Sequence, residues 1–179
     1  NDAVHLHKQK IMKVLFNNIA KEIEGKLNVA QSKIHIAMAW FTNESLFNLL
    51  CDKLKSGVAV DLIIINDEIN NNTLNGLIFQ RFVDQGGRLY FGSPENLMHH
   101  KFCIIDDQFL INGSYNWTYA AESKNLENTI IHNDTDLILR FQNEFLKIRD
   151  CLDIVTKVGQ PFKTEEFRID GFKRNSILE

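Results

Sequence analysis

One stretch limits what this chain can fold into more than any other: residues 98–128, MHHKFCIIDDQFLINGSYNWTYAAESKNLEN. It is apolar in the middle, yet polar residues stand in it at set intervals, as H-x-K-x4-D-x6-G-S-x-N with a Glu eleven residues after the Asn. Residues 99–105 read as an inner strand. Period two then puts His99, Lys101, Cys103 and Ile105 on one face and His100, Phe102 and Ile104 on the other. Asp106 and Asp107 read as a turn, because Asp bonds readily to nearby backbone. Residues 109–112 return as a second short strand, and Gly113 admits a tight bend. Ser114 and Asn116 stand where a helix can begin, with Asn a good cap. A helix start offers unpaired N–H groups and a positive field to an anion. An imidazole, an ammonium, a hydroxyl and an amide gathered there describe a phosphate site with a nucleophile.

Elsewhere the pattern alternates. Ile11, Val14, Leu15, Ile19 and Ile23 form a stripe at helical spacing that Gly25 would end. Residues 32–40 alternate as a strand, with His35 a packing residue on its small-residue face. Residues 43–55 fit a helix capped by Thr42 or Asn43, and Leu46, Leu49, Leu50 and Leu54 cover its inner side. Residues 58–65 are apolar except for Asp61, which suits a parallel strand buried on both faces. The Asn-rich residues 66–75 read as a loop at a strand's C-terminal end, where α/β sites gather. A helix over 77–83, a turn at 85–87 and a strand over 88–91 lead to the motif. After it come a short helix over 117–123 and a strand over 128–132. A last helix starts at Asp134 or Thr135 and buries Leu137, Ile138, Phe141, Phe145, Ile148 and Leu152. The expected class is α/β, a mostly parallel mixed sheet flanked by helices.

At 179 residues with 44% hydrophobic content, the chain has material for one ordinary domain. Residues 1–155 are the expected catalytic domain, and 156–179 a tail, linker or dimer arm. His5 and His7 read as a solvated terminus. The formal net charge of −3 argues against a bulk polyanion binder but leaves room for a local positive groove. Three widely spaced cysteines do not make a disulfide framework and suit a reducing, cytoplasmic setting. No apolar run reaches the roughly 18 residues of a membrane span, so no stable membrane insertion is expected. A start at Asn1 suits a domain cut from a longer regulated protein, such as a defence effector.

The run MHHKFCIIDDQFLINGSYNWT, with NLEN after it, resembles the HKD motif of the phospholipase D superfamily. It is most similar to the small single-motif branch, which includes Nuc-type endonucleases and the Zucchini/mitochondrial phospholipase D group. The resemblance implies a phospholipase D-like fold and His99 as nucleophile through a covalent phosphohistidine. Lys101, Asn116 and Ser114 would bind the phosphate, Glu127 would orient the imidazole, and Asp106 is counted with the catalytic motif. Parity nevertheless puts Asp106 off the His99 face, which suggests support. Tyr115 and Trp117 are candidates for stacking on a base.

Attack by one His calls for a second general acid at the leaving oxygen. A chain with one motif can supply it by forming a homodimer with the active site at the twofold axis. No metal or other cofactor is expected. The expected substrate is nucleic acid, DNA or RNA. The alternatives are a phospholipid of the cardiolipin type, and a non-catalytic module that keeps a phosphate pocket for binding or dimerisation.

Overall fold

In the computed structural model, which describes residues 10–71, 76–92 and 98–159, seven strands form one mixed sheet in the order β1-β7-β6-β5-β2-β3-β4. The strands are β1 (Met12–Leu15), β2 (Lys33–Met38), β3 (Ala59–Ile65), β4 (Arg88–Gly92), β5 (Lys101–Ile105), β6 (Phe109–Gly113) and β7 (Thr129–His132). The helices are α1 (Ile19–Asn28), α2 (Glu44–Lys55), α3 (Phe79–Asp84), α4 (Tyr119–Ser123) and α5 (Thr135–Arg149). His5, His7, the connection at 93–97, residues 72–75 and the tail after Gly159 lie outside the described residues.

The expected α/β class holds, with one correction. Parallel pairing is confined to β2–β3 and β3–β4, while β2–β5, β5–β6, β6–β7 and β1–β7 are antiparallel. The crossovers through α2 and α3 make the parallel half. The antiparallel half comes from the motif hairpin, which reverses the chain.

Both faces of the sheet are covered. Ile34, Ile36 and Met38 of β2 join Cys103 and Ile105 of β5 in a core with α1, α2 and α3. Ala37, Ile63, Phe102, Ile104 and Leu110 face the other way, onto Ile138 and Phe145 of α5. Period two in the strands therefore sorts the side chains as expected, and each fully buried Ile, Leu or Phe is worth about 1.5–3 kcal/mol. His35 packs flat on Phe145, ring centroids 4.8 Å apart, and burial lowers its pKa. Asp61, the charged residue inside β3, is fully buried beneath Arg88 and 3.8 Å from Arg149. That pairing is what makes a carboxylate tolerable there.

Capping side chains set the helix starts. Asn43 accepts from Leu46 N–H at 3.1 Å, and Asp134 from Leu137 N–H at 3.1 Å. Gly57 ends α2 with φ 90°. The stripe over 11–23 is not one helix. Residues 12–15 pair with β7 instead, and the helix runs over Gly25 to Asn28. Among the described residues no helix is long and apolar enough to cross a membrane. Beyond α5, Ile154 bridges Tyr90, and Val155 N–H donates to Leu89 O at 2.8 Å, so the chain lies along the β4 edge.

Candidate active site

The β5–β6 hairpin turns through Asp106 and Asp107, at φ 53° and 52°, closed by Gln108 N–H to Ile105 O at 2.8 Å. Two left-handed residues in sequence match the right-handed twist of the flanking strands, and Asp tolerates that region. The turn lies at one end of β5 and Lys101 at the other, about 16 Å away at ~3.3 Å per residue, with His99 two residues before it. Asp106 therefore stands apart from the histidine. Its carboxylate accepts from the N–H groups of Gln31, Ser32 and Lys33 and from the Ser32 hydroxyl, at 2.8–2.9 Å. Burial raises its pKa, but those four donors outweigh burial and hold it below the usual carboxylate value. Its geometry is that of a clamp on the α1–β2 loop and not of a group that meets substrate.

His99 lies just before β5, exposed, and Lys101 is the first residue of the strand, half-buried. The Lys101 ammonium donates to the His99 carbonyl at 2.8 Å. Partial burial lowers the His99 pKa, and the charges of Lys101 and His100 lower it further. The shift favours the neutral imidazole, the form that can attack. Burial also lowers the Lys101 pKa, and the charge of Glu127 opposes this.

From β6 and the segment after it come Gly113, Ser114 and Asn116. Gly113 is required for close approach, since a Cβ there would lie 2.1 Å from the Asn128 carbonyl oxygen. Ser114 Oγ donates to Glu127 Oε2 and accepts from Asn128 N–H at 3.1 Å. Glu127 Oε1 accepts from Asn125 at 3.1 Å. Within one chain the Glu127 carboxylate is thus committed to Ser114 and Asn125, and it makes no hydrogen bond to His99. Asn116 Oδ1 accepts from Trp40 N–H at 3.3 Å, which leaves its amide N–H groups as donors.

Two expectations need correction. The helix starts at Tyr119 with Thr118 as cap, not at Ser114 or Asn116. Residues 114–117 instead tie loops together: Ser114 N–H bonds Asn128 O, and the Trp117 carbonyl accepts from Thr42 and Asn43 N–H. Tyr115 and Trp117 are also not stacking surfaces. Both are almost fully buried, Tyr115 donating to Glu122 at 2.7 Å and Trp117 packed edge-on to Phe41.

Sequence reasoning missed Trp40. Its indole meets the His99 ring edge-to-face at 5.5 Å and lies 5.7 Å from the Lys101 ammonium. Its only signal in the sequence was its place at the end of a strand that proves to adjoin β5.

Residues 23–149 match the family model described as cardiolipin synthase, PLD-like domain. A mitochondrial cardiolipin hydrolase from Chlamydomonas reinhardtii is 33% identical over 124 residues, 69% of this chain and 54% of that protein. The mitochondrial cardiolipin hydrolase of Mus musculus is 32% identical over 127 residues, 71% of this chain and 56% of that protein. The chain spans about half the length of these curated relatives. Among solved structures, Nuc from Salmonella typhimurium, a phospholipase D family member, superposes with TM-score 0.74 at 23% identity, covering 83% of this chain and 100% of that one. NucT from Helicobacter pylori gives 0.71 at 19%, covering 82% and 100%. These two likenesses are of fold.

Proposed function

This chain belongs to the phospholipase D-like domain family, and on that premise we propose that it is a phosphodiesterase working through His99, with nucleic acid as its substrate. The observation that carries the reading is the grouping at one end of the sheet. The His99 imidazole, its pKa lowered, stands beside the half-buried Lys101 ammonium, with the Asn116 amide turned to donate.

His99 attacks phosphorus, and a P–N bond forms as the bond to the leaving oxygen breaks. The leaving oxygen takes its proton from the His99 of a second copy across a twofold axis, which enters the step as imidazolium. Water, deprotonated by that second imidazole, then attacks phosphorus and the P–N bond breaks, restoring both rings. Lys101 and Asn116 meet the charge on the phosphate oxygens as it grows. The groups named account for the nucleophile, the acid and the neutralising charge, so the step runs without a metal. Among the described residues of the site, His99 and Ser114 are exposed and Lys101, Asn116 and the aromatic Trp40 are half-buried. That suits an extended polynucleotide laid across a dimer better than acyl chains seeking an apolar channel.

A second reading, hydrolysis of a cardiolipin-type phospholipid, is supported by the names of the curated relatives. One assay separates the readings. Wild type and His99→Ala are incubated in EDTA with labelled single-stranded DNA, duplex DNA, RNA and cardiolipin vesicles. The expected result is cleavage of nucleic acid by wild type and none by His99→Ala. Release of phosphatidic acid with nucleic acid untouched would favour the lipid reading. Binding to these substrates without any cleavage would leave a non-catalytic module.

A further inference from the structure

We propose that Trp40, tethered by Asp67, is a positioning residue that sets the attitude of the His99 ring and of the Asn116 amide for attack on phosphate. The proposal rests on the reading of His99 as nucleophile and adds what holds it in place. Trp40 touches three of the groups at the site. Its indole meets the His99 ring at 83° with centroids 5.5 Å apart. The Lys101 ammonium lies 5.7 Å from its ring, within cation–π range. Its backbone N–H donates to Asn116 Oδ1 at 3.3 Å, which fixes the amide with its nitrogen as the free donor.

The indole is itself held. Trp40 Nε1 donates to Asp67 Oδ2 at 2.8 Å, and Asp67 Oδ1 accepts from Ile69 and Asn70 N–H at 3.1 Å each. Both carboxylate oxygens are thus used in a turn just beyond β3. Buried Asn70 from the same turn grips the residues on either side of Trp40. It donates to Ala39 O at 2.8 Å and to Ile65 O at 2.7 Å, and accepts from Phe41 N–H at 2.8 Å.

Packing does not explain this arrangement. Phe41, the next residue, fills the core position and is fully buried, whereas the indole stays half-exposed at the site. Glu127 is occupied by Ser114 and Asn125, whereas the Trp40 indole lies against the His99 ring. The charged groups around that ring are Lys101 and His100 on its own segment, with Glu127 reaching Lys101. Asp67 reaches the site through the indole, which its Oδ2 holds at 2.8 Å.

The test uses the full chain with labelled histidine, following His99 by NMR titration in wild type, Trp40→Phe and Asp67→Ala, beside steady-state pH–rate profiles. His99→Ala assigns the resonance. Trp40→Phe keeps the backbone N–H to Asn116 and every bond within the 67–70 turn, so it carries the test alone if Asp67→Ala fails to fold. The expected result in both variants is a His99 midpoint raised towards the ordinary value, the acid limb of kcat moved with it, and kcat down about 10- to 100-fold with KM little changed, the scale of a misplacement of ~1 Å. A His99 midpoint and pH profile matching wild type in Trp40→Phe, with only melting temperature altered, would overturn the proposal. The titration needs no substrate, so a wild type inactive on every phosphodiester would sink the functional reading while leaving the positioning claim measured.

Discussion

Replacing Asp106 with alanine should cost stability and spare chemistry. Four donors converge on its carboxylate at 2.8–2.9 Å. Bonds to a charged acceptor are worth about 1.5–3 kcal/mol each when buried, but this loop is open enough for water to take over most of the freed N–H groups. About 2 kcal/mol of the sum should survive that discount. Alanine must also hold φ near 53°, which costs about 1 kcal/mol more. The total of about 3 kcal/mol corresponds to a drop of about 6–12 °C in melting temperature for a domain of this size. Asp107→Ala is the internal control. It shares the left-handed backbone and pairs with Lys33 at 2.6 Å, but it lacks the clamp, so its cost should be about 1 kcal/mol. Because the native pKa of Asp106 is depressed, its contribution is complete above the unfolded carboxylate pKa and is lost as pH falls through the native value. The gap between wild type and Asp106→Ala should therefore narrow in acid. Urea melts at several pH values read the stability, and kcat per folded molecule reads the chemistry. Unchanged stability with kcat down a hundredfold would refute the clamp and return Asp106 to the reacting centre.

Two further outcomes follow from the same geometry. Lys101→Met should lower kcat by about 10²–10³, the scale for one donor to a developing oxyanion. It should also raise the acid limb of the pH–rate profile, because the Lys101 charge helps hold the His99 pKa down; an unmoved limb in a pH titration would contradict this. Gly113→Ala should destabilise by about 3 kcal/mol, since the new Cβ meets backbone of the paired strand at 2.1 and 2.8 Å; a urea midpoint equal to wild type would show that the strands can part.

What was legible in the sequence was mostly local. Alternation along 99–105 sorted Cys103 and Ile105 from Phe102 and Ile104 because a strand obeys period two wherever it sits. Asn43 and Asp134 announced their helices because a cap bonds within three residues. The failures were non-local. Residues 12–15 share apolar spacing with α1, yet they pair with β7 more than a hundred residues on, and such pairing overrides local pattern. Ser114 to Trp117 looked free to start a helix, but their backbone is spent on Asn128, Thr42 and Asn43. The aromatic neighbours of the motif, Tyr115 and Trp117, were the natural candidates for stacking, and burial takes both. Trp40, fifty-nine residues before His99 in the chain, comes to the site only through β2–β5 pairing, and its tether Asp67 through the turn after β3.

The proposed sharing of one site between two copies is tested most directly by mixing. Wild type and His99→Ala chains, carrying different tags, are unfolded, combined one to one, refolded and assayed. If each phosphodiester needs one imidazole from each copy, only wild-type pairs act, and about a quarter of the pairs formed at random are of that kind. Activity at about a quarter of an all-wild-type refolded control with the same total protein is the predicted result. Activity at half of that control, or a fully active monomer, would show that one imidazole suffices and would contradict the account.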